Sequence, residues 1–548
     1  MGFVSEFLER LFNTAMNLTT QLGVNDKFVE LLTEYRGWIV LFFVLPISFL
    51  VDTVISIKCR FDVLINAFYG DSHDEKVRYV QMQVREWNEH EKGKSLMCTA
   101  RKPFLTMSTR TADFKKNCAK IEIFLDQILE IDETTMTIRT EPLVNMGQMT
   151  KCLLPKGLAL AVQVEMEDLT IGGLTMGLGM ETSSHRLGLI HETVVAFEIV
   201  LSSGELIKVT RDNEHQELFK VLPFSQGSLG FLVAVTLEIV HIKPYVRVEY
   251  IPCHSMLGYI EGMKELSSSK KTPFFLEATV YSKDTAVIQC GEFFDVVKRE
   301  DKNKINKINL WYKPWYYKHV ERALSDLGQF HEYIPTSHYY HRYTRSIFWE
   351  LEDMIPFGNH PLYRFFFGWL GAPKVSLLKA SMTPAIRQEV LYKHVVQDII
   401  IPIKHMEEGM ELFHKEFCIY PILVFPIRIY KNDGGFLRTP KNFQKGQDHE
   451  MFVDLGAYGV PLKVKEKKKW DAISSLRKME AFTRKVGGYQ CLYADTLMTR
   501  EEFRQMFDHT LYDQMREKYQ AVGAFPELYD KIVPERHLFE SKKSKLIP

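Results

Sequence analysis

Between Leu169 and Glu192 the chain reads LTIGGLTMGLGMETSSHRLGLIHE, with five glycines, two of them adjacent at Gly172 and Gly173. A run so poor in side chains is either a structural turn or a place where main-chain N–H groups must approach a bound anion. Glycine permits both close approach and left-handed backbone without a Cβ penalty. A hairpin pattern follows at once. Thr193–Leu201 (TVVAFEIVL) is β-branched and apolar, SSGE supplies the turn, and LIKVT returns. The glycines therefore occupy a loop inside a β-rich domain.

Familiar nucleotide and nucleophile motifs fail here. Gly177-Leu178-Gly179 could open a GxGxxG, but its last position is Thr182. Glu198 lies about where a ribose-binding acid would, yet it sits in a strand with no helix pattern before it. No P-loop lysine follows, and Ser225 in PFSQG lacks the first glycine of a nucleophile elbow. HExxH, EF-hand and zinc-deaminase spacings do not occur, so no metal site is expected. What remains is a long loop of bare N–H groups with Arg186 as almost its only cation, suited to the pyrophosphate of a large cofactor. A second glycine/serine loop, LPFSQGSLGFLVAVTLEIV from Leu222 to Val240, places Gly227 and Gly230 before another strand.

At 548 residues the chain exceeds one core, and two or three domains are expected. A hydrophobic content of 46% with 25% charged residues excludes disorder. Lys+Arg and Asp+Glu both number 69, and this zero net charge argues against a nucleic-acid partner. The eight cysteines are scattered without CxxC spacing, which reads as free thiols in a reducing compartment.

One segment departs from the soluble pattern. WIVLFFVLPISFLVDTVISI, Trp38 to Ile57, has the length of a hydrocarbon core and a single charge, Asp52. Lys58 and Arg60 follow it, which with the free thiols places the main body in the cytosol. Residues 1–37 then read as an amphipathic, lumenal segment: Phe3, Phe7, Leu8, Leu11 and Phe12 share a helical face that suits either an interfacial helix or one packed on a partner, and Asn17-Leu18-Thr19 is a sequon. Residues 58–244 read as β-rich, with an amphipathic helix at Val77–His90 and strands at Lys120–Leu125, Met136–Glu141 and Thr193–Leu201. Residues 245–489 show longer helical stretches and many aromatics, and residues 490–548 a charged helical tail.

The stretch SHYYHRYTRSIFWELEDMIPFGN crowds His338, Tyr339, Tyr340, His341, Arg342, Tyr343 and Arg345 together. Such density is costly to bury unless paired. It is either a polar surface element or a site wall offering proton donors and a phosphate-binding cation. Tyr458 in DLGAYG and Tyr493–Asp495 in LYAD are further candidates, and the sequence does not choose among them for a proton donor.

The order DLTIGGLTMGLGMETSSHRLGL, AFEIVLSSGELIKV, PFSQGSLGFLVAVTLEI resembles the second half of the PCMH-type FAD-binding domain of vanillyl-alcohol-oxidase flavoproteins. REWNEHEKGKSLMCTARKPF, RTEPLVNMGQMT, EYIPTSHYYHRYTRSIFWELEDMIPFGNHP, DLGAYG, LYADTLMTREEFRQMFD and FPELYDKI resemble the Δ24-sterol reductases, the Diminuto/Dwarf group, from about Trp38 to Val533. The resemblance implies an α+β fold: a two-subdomain FAD-binding domain (58–244), an α/β cap or substrate domain (245–489) and a tail returning to the FAD domain (490–548), preceded by one transmembrane helix (38–57). It implies reduction of a sterol side-chain double bond by hydride from NADPH through FAD.

The FAD contacts it implies run through Thr170, Ile171, Gly172, Gly173, Leu174, Thr175, Met176, Gly177, Leu178, Gly179, Met180, Glu181, Thr182, Ser183, Ser184 and His185, with Gly227 and Gly230. Tyr340, His341 and Arg342 are the catalytic candidates. MCTARKPFLTMSTR carries no histidine where many relatives attach flavin covalently, so noncovalent FAD is expected; Cys98 is the nearby thiol. The partners implied are a sterol, NADPH and a membrane, with self-association open. The location implied is the endoplasmic reticulum membrane, with the Golgi as the alternative. An FAD-linked oxidase of another small molecule and an inactive scaffold of the same fold are the competing readings.

Overall fold

The computed structural model describes residues 36–50, 53, 72–108, 110, 112–380, 393–431, 434–438 and 446–534. The expected lumenal segment, with its sequon, lies outside these residues.

Strands alternate with helices in an α+β arrangement built on two antiparallel sheets and one small parallel pair. The parallel pair joins β1 (Leu96–Thr99) to β2 (Cys118–Ile121). The first large sheet contains β3 (Ile128–Asp132), β4 (Thr137–Thr140), β5 (Leu158–Leu160), β6 (Val194–Val200), β7 (Leu206–Thr210) and β8 (Phe231–His241). Its order is β3-β4-β8-β6-β7, with β5 on β8. The expected hairpin is β6–β7, with Val200 opposite Leu206. Glu198, spaced like a ribose-binding acid, instead accepts a bidentate pair from Arg139 at 2.6 and 2.7 Å.

The second sheet contains β9 (Tyr245–Cys253), β10 (Phe275–Val280), β11 (Ala286–Phe294), β12 (Phe330–Pro335), β13 (Val395–Pro402), β14 (Ile422–Tyr430), β15 (His449–Gly459) and β16 (Tyr489–Gln490). Its order is β12-β9-β11-β10-β14-β15-β13-β16. Residue patterning alone suggested long helices here. The strands dominate because both faces are covered and read as apolar runs rather than alternations, as in FLEATV and VVQDIIIP. One face packs on helices Met256–Ser268, Met406–Glu416 and Ala472–Val486. The other merges with the core of the first sheet through Phe275, Leu423, Phe425, Phe452 and Tyr458.

The expected helix at 77–90 begins earlier, at His73, because Ser72 and Glu75 form a capping box. The expected strand at 120–125 overlaps β2 only at its start. The tail breaks into helices Arg500–Met506 and Thr510–Lys518, and the second returns to the loop before β8: Tyr512 donates to Ser228 Oγ at 2.7 Å and Arg516 to the Ser228 carbonyl at 2.7 Å.

Among the described residues no helix is long and apolar enough to cross a membrane. The expected span Trp38–Ile57 leaves the described residues at 51–52 and 54–57. Its first part is helical and lies against residues 354–374. Trp38 is 5.0 Å from Phe357 and Phe49 is 5.3 Å from Trp369, ring to ring, and Lys374 N donates to Ser48 Oγ at 3.2 Å.

Candidate functional site

The glycine run folds into two short helices, Ile171–Thr175 and Ser184–Leu187, separated by a turn. Gly172, Gly173, Gly177 and Gly179 do not adopt left-handed backbone, so the expected need for unusual φ is corrected at these positions. Three of them are bare because something packs there. A Cβ on Gly172 would sit 2.7 Å from Pro142 Cβ, one on Gly179 2.7 Å from Ile190 Cγ2, and one on Gly177 would strike the Gly173 carbonyl. Gly173 differs, since a Cβ there meets only the Thr170 hydroxyl, at 3.1 Å.

Left-handed backbone appears in the second loop instead. Gly227 has φ +73° with nothing within 3.7 Å of its would-be Cβ, and Phe224 (66°) and Gln226 (50°) share that strained region. Gly230 packs on Ile199. Gln226 N donates to the Met176 carbonyl at 2.8 Å, so the two loops are tied edge to edge. Gly173 and Gly227 are the glycines at this seam with the least packed against them.

The other candidates divide by environment. Ile171, Leu174 and Met176 belong to the core, Leu178 and Met180 pack against it, and Thr175 is buried. Thr170 Oγ1 accepts from Arg101 at 3.1 Å. Glu181, Thr182, Ser183, Ser184 and His185 are all buried. Ser184 Oγ accepts from Glu181 N at 2.9 Å. His185 Nε2 bonds the Pro273 carbonyl at 2.8 Å, and burial pushes the ring down to about 4, so it is neutral. The Thr182 carbonyl accepts from Leu276 N at 2.9 Å, which docks the glycine run onto β10.

A cluster of cations completes the site, and no motif in the sequence marks it. Lys531, from the tail, donates to the Gln226 carbonyl at 2.6 Å and lies 3.8 Å from the would-be Cβ of Gly227. Lys115 donates to the Thr99 and Arg101 carbonyls at 2.9 and 2.6 Å. Arg110 holds Ser108 Oγ at 2.9 Å, and Ser108 donates to the Tyr493 carbonyl at 2.8 Å. Burial and then repulsion from Lys115 press Lys531 down to about 7; burial, against the pull of Cys98, presses Lys115 to about 8, and burial holds Arg110 down at about 10 against the pull of Asp495. Cations crowded against a bare left-handed glycine fit a polyanion such as a dinucleotide pyrophosphate. Cys98, on β1, faces Cys118 on β2, and this thiol contact and the nearby lysines hold it down at about 6.

Of the catalytic candidates, Arg342 is 1% exposed. It donates to Glu277 at 3.1 and 3.2 Å, to Glu181 at 3.0 Å and to the Tyr339 carbonyl at 3.1 Å. The rings of Tyr339, Tyr343 and Tyr316 surround its guanidinium. It is thus a clamp between the glycine run and β10, and its engagement with these partners corrects the reading of it as a phosphate-binding cation. His341 bonds Thr150 Oγ1 through Nε2 and the Glu165 carbonyl through Nδ1, each at 2.8 Å. Tyr340 is buried beside Phe275, and burial raises its hydroxyl. Glu165 is pushed far up by burial and by Glu181, so that pair shares a proton.

The loops, cations and docked sheet define an FAD-binding flavoprotein, and residues 106–210 match the FAD binding domain family. Longer matches narrow this. The chain is 41% identical to the Δ24-sterol reductase of Homo sapiens over 512 residues, 93% of this chain and 96% of that one. It is 38% identical to the Δ24-sterol reductase homolog of Caenorhabditis elegans over 518 residues, 92% and 96%. With the Δ24-sterol reductase of Arabidopsis thaliana it shares 37% over 530 residues, 92% of each chain. The chain belongs to the Δ24-sterol reductase family.

Proposed function

We propose that this protein is a membrane-bound, FAD-dependent reductase of the side-chain Δ24 double bond of sterols, with NADPH as reductant. The observation that carries it is the pairing of near-full-length kinship with a built anion site, in which Lys531 meets the loop at Gly227 with Lys115 and Arg110 close enough to act on it. Bound noncovalently, FAD supplies hydride transfer between NADPH and the sterol. The chain's own residues hold the pyrophosphate at the loop seam, brace the glycine run on β10 through Arg342, and surround the reacting carbons with a dry sheet face. Tyr340, His341 and Arg342 act as the wall that positions this face, since two of them tie residues 150, 165 and 181 to the 338–345 turn.

The division into an FAD-binding domain (58–244), a cap (245–489) and a returning tail belongs to this proposal, as does a single span at Trp38–Ile57 with the catalytic body on the cytosolic side of the endoplasmic reticulum. Supporting membrane contact, Trp38, Phe42, Phe43 and Leu50 are exposed beside Leu362, Phe365, Phe366 and Trp369, also exposed. Large apolar side chains turned outward in one region mark a lipid or protein contact.

The test is turnover by the full chain in lipid nanodiscs with NADPH and a Δ24-unsaturated sterol. The expected result is a product two hydrogens heavier with a saturated side chain. Unchanged sterol alongside oxygen consumption would favour an oxidase.

A further inference from the structure

Saturating a carbon–carbon double bond needs a proton as well as a hydride, and the Glu165/Glu181 pair has the Arg342 guanidinium against it. A second buried carboxyl pair has no cation acting on it. Asp398 on β13 and Asp454 on β15 are both 0% exposed. Asp398 Oδ1 accepts from the Tyr458 hydroxyl at 2.6 Å, but Asp398 Oδ2 and both oxygens of Asp454 find no donor. Each carboxyl has the other as its neighbour. Two ionised carboxylates cannot share such a place, so the pair holds at least one proton. Gly456 makes the room: a Cβ there would strike Asp398 Oδ1.

Position then gives the pair a task. Directly paired residues point to the same face of a sheet. One row across the second sheet runs Thr279, Leu423, Gly456, Asp398, and the next contains Phe425, Asp454, Ile400. Glu277, held by Arg342 against the glycine run, lies on the Thr279 side of that same face. Two strand spacings, about 10 Å, separate β10 from β15. The gap is filled by Leu423 and Phe425, an apolar column on the face that meets the core of the first sheet.

At the other edge, Cys491 N donates to the Asp398 carbonyl at 3.0 Å, and Gln397 and Gln490 donate to the Asp495 carbonyl at 3.1 and 3.3 Å. Tyr493 in this segment accepts from Ser108 of the cation-lined loop. The pair is therefore bracketed by the glycine run on one side and the Ser108 loop on the other, with apolar side chains on the glycine-run side. Tyr458 and Cys491 are the titratable groups acting on it, and burial raises both.

We propose that the Asp398/Asp454 carboxyl pair, seated by Tyr458, is the proton donor to the sterol side-chain double bond. This rests on the reductase reading above. In the step, the π pair of the double bond takes the proton from a carboxyl O–H and forms one new C–H bond. The other carbon receives the hydride whose electrons come from NADPH. The carboxylate left behind regains its proton from solvent, and the pair returns to its starting charge.

The test uses the full chain with FAD in nanodiscs, mixing anaerobically prereduced protein with a Δ24-sterol. Asp454→Asn and Asp398→Asn should slow sterol-dependent flavin reoxidation by about a hundredfold to ten-thousandfold. Flavin content and reduction by NADPH should stay native. Wild-type reoxidation should fall as pH rises through about 7, where burial sets Asp398, and the residual rate of the variants should lose that dependence. Infrared spectra of the wild-type apoprotein should show protonated-carboxyl absorbance that both variants alter, in a component distinct from the one Glu165→Gln removes. Native reoxidation in either variant, a missing band, or the same pH-dependent loss in Glu165→Gln alone would overturn the assignment. Wild-type protein that is not reoxidised by sterol would instead sink the reductase reading itself.

Discussion

Two buried carboxyl clusters lie on one sheet face and are built to opposite rules. Around Arg342, Glu277 receives the guanidinium bidentately and Glu181 in a single contact, with Thr182 and Tyr343 adding donors, and Glu181 Oε2 alone of their four oxygens is left without one. Around Asp398 and Asp454 the hydroxyl of Tyr458 is the one outside donor among the described residues, and the other three oxygens have only the pair's own proton to share. Buried charge that is matched holds a structure together; buried charge left unmatched is retained at a cost in stability that function explains. Half-buried Lys531 follows the second rule, since burial and the charges of Lys115 and Arg110 all press on its ammonium. Substitution should therefore shift stability in opposite directions at the two kinds of site.

The largest effect is expected at Arg342. Arg342→Ala removes the cation from two buried carboxylates, a change worth about 3–5 kcal/mol. Thermal denaturation should show a large drop in Tm and loss of FAD, with the deficit narrowing at acid pH as the orphaned carboxyls take protons. A Tm equal to wild type would mean the cluster is not matched as described. Next come the glycines. Gly177→Val, which drives a side chain into the Gly173 carbonyl, should unfold the loop and lower Tm. Gly173→Val, where only a hydroxyl stands nearby, should leave apoprotein Tm near native and abolish flavin retention. Equal Tm losses in both would make Gly173 a packing glycine too.

Lys531→Met should weaken FAD binding about tenfold to a hundredfold, the worth of one charge-assisted contact. Yet it should stabilise the apoprotein near pH 7. Because its folded value is depressed to about 7, Lys531 charged costs stability below that pH, and this cost fades as pH rises from about 7 toward the ordinary lysine range. The variant should lose that slope. The smallest effect is at Asp398, whose folded value is raised to about 7 from an ordinary carboxylate value near 4. The native state then binds more protons, so wild-type stability falls as pH rises between about 4 and about 7. Asp398→Asn should flatten that fall by about 1 kcal/mol or more, visible in urea midpoints at pH 5 and pH 8. A steeper fall would place the pair among matched charges.

What the sequence discloses follows from distance along the chain. The glycine run, the hairpin 194–210 and the loop at Gly227 are local patterns, and each lands where the spacing puts it. The matched cluster is half legible, because the density of aromatic and charged groups at 338–345 demands partners, but those partners lie 161 and 65 residues away. Lys531 meets Gln226 across 305 residues, so no window contains the anion site. Asp398 and Asp454 sit in strands whose apolar runs conceal a single acid each, and only the β13–β15 register sets them side by side. Long helices expected in 245–489 gave way to strands for the same reason: pairing partners such as Tyr250 and Gln289 are remote in sequence.

In a Δ24-sterol reductase, reducing equivalents leave the flavin for the sterol side chain, and anaerobic two-step mixing reads that transfer in a single experiment. FAD-loaded protein is reduced with one equivalent of NADPH, a Δ24-unsaturated or a side-chain-saturated sterol is added, and the oxidised-flavin absorbance is followed. Rapid recovery with the unsaturated sterol alone, matched mole for mole by saturated product, is the predicted result. Flavin that stays reduced with both sterols and recovers only when oxygen is admitted would contradict it.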